Sequence, residues 1–410
     1  MKLKLNKHQW RQRLAALLIT PFYFIAQESA FALIGSGSSA KRPIKNEAAL
    51  ALRNWGLDNT LSSHINVRKA WEINKGSREI IVAVIDTGID PNQPDLKDNL
   101  WRKPGTLETK IINGKKTETF EYGWDFVKNE ANPLDSHGHG THVAGIVGAS
   151  AKGSAGAAGV APNVSIMAIR YYSQTASGAE NLANTIKAIH YAIDNGAHII
   201  NYSGGGAEFS SGERKAIERA EKKGILFIAA AGNEHRDTDK ESNKYYPGAY
   251  GLSNIIAVAA TDINNELLSS SNWGGSTVHV TAPGENIYST LPNGKYGYLT
   301  GTSQGTAFVT GLAALMMSED SSLRNKPEAV KAAILNNVDK IEGLKSKVIS
   351  GGRINAYATL KALANKVSGI QLADGAKEKI LPVSPQVITA PDFSRFEEKR
   401  VPARNKNSVE

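Results

Sequence analysis

A doubly wound, mostly parallel α/β sheet flanked by helices is what this sequence predicts, on three observations. Short apolar runs recur along the chain, stretches with helical apolar spacing alternate with them, and polar residues stand where the runs end. Continuous apolar runs mark strands buried on both faces, and alternation with helices supplies the layers that bury them. The strands are expected at "IIVAVID" (80–86), "SIMAIR" (165–170), "HIINYS" (198–203), "ILFIAAAGN" (225–233), "NIIAVAATD" (254–262) and "VHVTAPG" (278–284). Between them, "GAENLANTIKAIHYAIDNG" (178–196) places apolar residues three and four apart and stops at Gly196. "SGERKAIERAEKKG" (211–224) is charged on one face and stops at Gly224, a common helix terminator. Sheets of this kind carry their sites beyond the carboxyl ends of the strands, where Asp86, Ser203 and Asn233 fall.

The two ends of the chain read differently. Lys2, Lys4, Lys7, Arg11 and Arg13 precede the apolar stretch "LAALLITPFYFIA", which is short for a bilayer span, and Ala30-Phe31-Ala32 follows as an A-x-A cleavage signal. Residues 1–32 are expected to be a secretory signal peptide, with an uncleaved membrane anchor as the alternative. Residues 33–54 are polar and small, a linker or a short pro-segment, and 55–365 form the main domain. Residues 366–410 mix proline with both charge signs and offer few packing positions, the composition of a largely disordered tail.

Of 410 residues, 41% are hydrophobic and 21% charged, so the chain can bury a large core. Its net charge of +9 falls to about +5 once the leader is set aside, and no basic cluster interleaved with aromatics points to nucleic acid. Cysteine is absent, which excludes disulfides and thiolate metal sites.

Three segments pair a reactive residue with glycines: "AVIDTGID" with Asp86, "SHGHGTHVAG" with His139 and "LTGTSQGTAFVTG" with Ser303. A serine hydroxyl is a weak nucleophile until a base accepts its proton, and an imidazole held by a buried carboxylate can do so. Each residue alone has a plainer reading as a turn residue, a loop histidine or a helix cap. Their occurrence together, in the order Asp, His, Ser on one sheet, favours catalysis.

With "GVAP" (159–162), "AAAGNE" (229–234), "YPGAYG" (246–251), "APGENIYST" (282–290) and "GGRINA" (351–356), the chain resembles the subtilisin-like serine proteases from about Trp55 to Leu363. The resemblance implies that Asp86 orients His139, the general base, and that Ser303 is the nucleophile. Asn233 would stabilise the oxyanion. His142 would pack one turn into the following helix, and His137 would be a surface loop residue. The segment Ser203-Gly204-Gly205-Gly206 would pair main chain to main chain with an extended polypeptide, and a second edge at Ala176-Ser177-Gly178 would pair from the other side. Tyr245 would shorten the primary pocket, Gly204 would open an outer one, and Glu234 could attract a basic residue. Gln304 to Ala307 stand where the family commonly has Met-Ala-Ser-Pro.

The implied protein is a secreted endopeptidase, extracellular or periplasmic, acting as a monomer through an acyl-enzyme. No cofactor is needed for that chemistry. The opposing reading is a peptide-binding protein that kept the fold without the activity. The 22 residues of 33–54 are too few for the folded pro-domain many members carry. Structural calcium stays open, because Asp95 matches a ligand position while "GASAKGSAGAAG" (148–159) offers no carboxylate. The acidic stretch at 120–135 is a second place where an ion could sit.

Overall fold

The structure, a computed structural model, describes residues 54–57, 62–112, 115–152 and 156–367. The leader, nearly all of the 33–54 segment and the tail beyond Val367 lie outside the described residues. Contacts divide the chain into Met1–Ile370 and Gln371–Glu410, and everything below concerns the first unit.

In chain order the strands are β1 (Ile81–Asp86), β2 (Glu108–Ile112), β3 (Lys115–Thr119), β4 (Gly123–Asp125), β5 (Glu130–Ala131), β6 (Ser165–Arg170), β7 (Ile199–Tyr202), β8 (Leu226–Ala230), β9 (Ile255–Thr261), β10 (Val280–Pro283), β11 (Ile287–Leu291), β12 (Lys295–Leu299), β13 (Asp339–Lys340) and β14 (Gly352–Arg353). The helices are α1 (Val67–Ala70), α2 (His139–Gly148), α3 (Gly178–Asp194), α4 (Ser211–Lys222), α5 (Thr302–Glu319), α6 (Pro327–Asn336) and α7 (Ala356–Val367). The main sheet runs β13-β14-β10-β9-β8-β7-β1-β6-β4-β5. Its pairs are parallel except β4–β5 and β13–β14 at the two edges. Each strand expected from the sequence is present, β6 over its full expected range and the others shorter by one to four residues.

Why the strands are apolar throughout follows from the two layers that cover the sheet. Val82 and Val84 face one apolar layer with α2 and α5, while Ala83 and Ile85 face the other with α3 and α4. Alternate side chains therefore all meet a helix, and no position in β1 is left for a polar residue until its end. The chain passes from β1 to β6 on one side and then crosses to β7 on the other. That reversal opens a crevice at the carboxyl end of β1, next to Asp86.

Helix α5 is buried from Thr302 to Met317 on every side. Its unbroken apolar character, which hides any stripe, is that of a helix enclosed by its own protein. Helix α2 packs against α5 and the hairpin β11–β12, two strands that the apolar-run pattern did not reveal. Ser289 Oγ donates to His142 O at 2.8 Å and Thr290 Oγ1 to Thr141 O at 2.7 Å. His142 is buried and donates through Nε2 to Ile287 O at 2.9 Å, its pKa pushed down to about 3 by burial and then by His139. It is the packing residue expected of it, and it remains neutral.

This packing leaves no room at Gly145, where an added Cβ would overlap Ser289 Oγ and Thr290 Oγ1. Gly145→Ala should therefore destabilise the protein by about 1–3 kcal/mol, read as a lowered midpoint in chemical denaturation. An unchanged midpoint would mean that β11 is not held against α2 as described.

Candidate active site

Asp86 closes β1 and is 3% exposed, so its carboxylate needs partners to be there at all. It accepts from His139 Nδ1 at 2.8 and 3.0 Å through its two oxygens, and from the Thr87 amide at 2.8 Å. A carboxylate can only accept, so the imidazole carries its proton on Nδ1 and keeps a lone pair on Nε2. Burial pushes the His139 pKa down, but the charge and hydrogen bond of Asp86 outweigh it, and the ring lies above the ordinary histidine value.

Asp135, which the sequence reading did not single out, holds this pair in place. Its Oδ1 accepts from Thr87 Oγ1 at 3.0 Å and from the amides of His137 and Gly138 at 2.8 Å each. Its Oδ2 accepts from the Thr141 amide at 3.0 Å and Thr141 Oγ1 at 2.7 Å. The carboxylate therefore caps the first turn of α2, where the orphan amides and the helix dipole both favour negative charge. A short D-x-x-x-H spacing before the helix was the available signal. Nor is His137 a free surface residue: it is half-buried, its ring centre 6.5 Å from that of His139 and 6.1 Å from that of Tyr172. Burial and the neighbouring His139 lower its pKa.

Ser303 sits at the second residue of α5, so its amide has no carbonyl within the helix to bond. Its hydroxyl donates to Ser203 O at 3.2 Å. Asn233 stands opposite, with Oδ1 accepting from the Thr302 amide at 2.9 Å and Thr302 Oγ1 at 3.1 Å. Because the amide of Thr302 is a donor only, the Asn233 side chain is fixed with Nδ2 as the remaining donor. His139, Ser203, Asn233 and Ser303 line one cavity of about 410 Å³, with Asp86 buried behind His139.

Gly204, Gly205, Gly206, Gly178, Glu234 and Tyr245 line the same cavity. The glycines do more than leave room for a ligand. Gly206 exchanges backbone hydrogen bonds with Tyr246 at 2.9 and 2.7 Å, and a Cβ on Gly205 would overlap Tyr246 O. Beside Gly204 the space expected to open is occupied: a Cβ there would overlap the Tyr171 hydroxyl and lie 3.0 Å from the Tyr202 ring. The outer part of the cleft is thus walled by tyrosines. Tyr245 presses on Gly232, where a Cβ would come within 2.8 Å of its ring. Ser177 is the N-cap of α3, and its amide is taken by Glu180 Oε2 at 2.7 Å. The main-chain donor left at that edge is the amide of Gly178, at the first turn of α3. Glu234 accepts from Asn272 Nδ2 at 2.6 Å, and burial raises its pKa.

The family follows from comparison. The profile of the subtilase family matches residues 77–360. The chain is a subtilase. Thermitase of Thermoactinomyces vulgaris is 40% identical over 298 residues, covering 72% of this chain and 94% of thermitase. The thermophilic serine proteinase of Bacillus sp. (strain AK1) is 39% identical over 303 residues, 74% of this chain and 66% of that protein. The solved structure of the prenylagaramide maturation protease PagA superposes with a TM-score of 0.56 at 26% identity, covering 72% of this chain and 98% of that one. The subtilase is accordingly a serine endopeptidase, a hydrolase acting on polypeptides.

Asp95 of this subtilase does not line the cavity. It is buried, and its Oδ2 accepts from the Ala157 amide and the Tyr296 hydroxyl at 2.8 Å each. That oxygen is thus held by one backbone amide and one hydroxyl of the protein. Among the described residues no group of three or more His, Cys, Asp or Glu gathers for a metal.

Replacing Asp86 by Asn should remove the charge that raises His139 and leave burial to lower it. The His139 ring titration, followed by NMR, should then move from above to below the ordinary histidine value of about 6.5. In the parent, the raised folded pKa stabilises the protein fully below the unfolded value, and that gain is lost as pH rises through the folded one. A ring that titrates identically in both proteins would refute this electrostatic account.

Proposed function

We propose that this subtilase is an exported endopeptidase that cleaves extended polypeptides through an acyl-enzyme on Ser303. The observation that carries the reading is the double hydrogen bond from His139 Nδ1 to Asp86, at 2.8 and 3.0 Å, in a cavity that His139 shares with Ser303. Once a substrate carbonyl lies against Ser303, its hydroxyl turns from Ser203 O to His139 Nε2 and gives up its proton as Oγ attacks. The imidazolium that forms is stabilised by Asp86, and passes the proton to the leaving amine. The oxyanion receives Asn233 Nδ2 and the Ser303 amide, donors set before the charge develops. Water, with His139 again as base, releases the acyl group.

Extended substrate fits the two edges. The amide of Gly178 and the backbone of Gly204 to Gly205 offer main-chain groups, while the cleft between them admits alternate side chains. Export rests on the basic, apolar and A-x-A segments of residues 1–32. No helix among the described residues is long and apolar enough to cross a membrane.

A fluorophosphonate probe should label the parent at Ser303 and fail to label Ser303→Ala, which should also lose peptide hydrolysis. Labelling at another serine would reject Ser303 as nucleophile, and no labelling of the folded parent would favour a peptide binder. Asn233→Ala should lower kcat on the scale that the handling of the oxyanion sets in subtilisin itself, about 10²–10³, with KM little changed. For export, Edman sequencing of protein recovered outside the cytoplasm should begin after Ala32; recovery with Met1 retained would overturn signal cleavage.

A further inference from the structure

Glu213 is the residue whose placement the chemistry above does not use. It occupies the third position of α4, whose N-cap is Ser210. A glutamate there commonly turns back to the N-cap amide, as Glu180 does to Ser177 in α3 at 2.7 Å. Glu213 does not. The Ser210 amide donates instead to the Tyr250 hydroxyl at 3.2 Å, and that hydroxyl donates to Glu213 Oε2 at 2.7 Å. Glu213 is 4% exposed as a residue, yet it lines the same cavity as His139 and Ser303. Only its Oε2 is hydrogen-bonded among the described residues, and Oε1 is not one of the buried unpaired atoms, so it opens to the cavity.

The surroundings are polar and anionic. The part of the cavity built from residues 171–213 contains Glu208 and Glu213 and no lysine or arginine. Arg236 and Lys244 line the same cavity from the segment that carries Glu234 and Tyr245. Tyr171, Tyr202 and Thr185 bring hydroxyls to the outer part, and Gly204 admits the Tyr171 hydroxyl because it has no Cβ. Thr185 Oγ1 donates to Asn181 O at 3.0 Å and bonds with the Tyr202 hydroxyl at 3.4 Å, so these hydroxyls are already paired, while an anionic ligand side chain would meet two carboxyls.

We propose that Glu213 determines specificity: the outer part of the cleft takes a lysine or arginine side chain from the polypeptide lying along Ser203–Gly206 and pairs its cation with the Glu213 carboxylate. This rests on the reading of the cleft as the protease's substrate site. In the free protein burial raises the Glu213 pKa, and the hydrogen bond from Tyr250 offsets this only in part. A bound ammonium or guanidinium reverses that balance and supplies the donors that Oε1 lacks. The N-terminal end of α4 adds its dipole to the charged form.

The test compares kcat/KM for octapeptides that carry lysine or its neutral counterpart norleucine, and arginine or citrulline, at each position in turn around one cut. The cation should be favoured by about tenfold or more at one position. E213Q preserves the side chain's shape and an acceptor for Tyr250, and should bring that ratio close to one, with fluorophosphonate labelling checking that its site is folded. If E213Q fails to label, the charged and neutral peptides decide the matter on the parent alone. Ratios near one at every position in the parent, or a ratio undiminished in labelled E213Q, overturn the proposal. A parent that takes no label and cuts none of the peptides overturns the catalytic reading, and this one with it.

Discussion

The buried carboxylate of Asp135 joins the end of β1 to the start of α2, and the geometry of the site depends on that join. It accepts five hydrogen bonds, from two threonine hydroxyls and three backbone amides. With the carboxylate gone, those donors would face a dry interior, where each unpaired group costs about 1–3 kcal/mol. Thr87, one of the donors, follows Asp86, and its Oγ1 also accepts from the Gly140 amide at 2.9 Å. The two residues that flank the Asp86–His139 pair in sequence are thus tied to one another. Nothing in that pair has to be ordered when a ligand arrives.

A second tie serves the other wall in the same manner. Asn233 follows β8, and its Oδ1 holds the Thr302 amide at the start of α5. Helix α5 cannot shift, because side chains from β7 to β10 and α2 enclose it. Of its first-turn amides, that of Thr302 is taken by Asn233 Oδ1 and that of Gln304 by Gly301 O, which leaves that of Ser303 beside the cavity that Asn233 also lines. Rigid packing far from the surface thereby sets the direction of two donors at the surface.

Between these walls the cleft is a composite. Gly205, Gly206 and Gly232 let backbone and tyrosine rings approach closely, which makes the inner wall stiff and narrow. The outer wall is tyrosine and glutamate, and beside its paired hydroxyls one Glu213 oxygen is left open to a ligand. Such a surface discriminates strongly when the ligand supplies the missing partner, because the alternative leaves polar groups desolvated. The glycines and the tyrosines are one device: small residues at 204 and 205 exist where large ones elsewhere in the chain need the space.

Much was legible in the residues themselves. Apolar runs located β1 and β6 to β10 because both faces of a parallel sheet are covered, and this demands the same residue types wherever the strands lie. Asp86, His139, Asn233 and Ser303 could be named because glycine-rich, chemistry-bearing motifs are local, and the order of the motifs along the chain matched a known family. Short edge strands and the hairpins β2–β3 and β11–β12 were not legible from apolar runs: β11 is buried, but Ser289 and Thr290 interrupt its apolar character because their hydroxyls bond to α2 carbonyls. Asp135 was passed over because its five donors converge only when β1 and α2 meet. Gly204 was misjudged as an opening because its neighbour in space, Tyr171, is far from it in sequence. Glu213 looked like one charge among many on an amphipathic helix until Tyr250, from another segment, took the hydrogen bond that would have kept it at the helix end. Local sequence thus determined the sheet and the reactive groups, whose signals are carried by adjacent residues. Tertiary structure decided what holds those groups and what lines the cleft, because hydrogen bonds and steric exclusion act across space between residues that no sequence pattern connects.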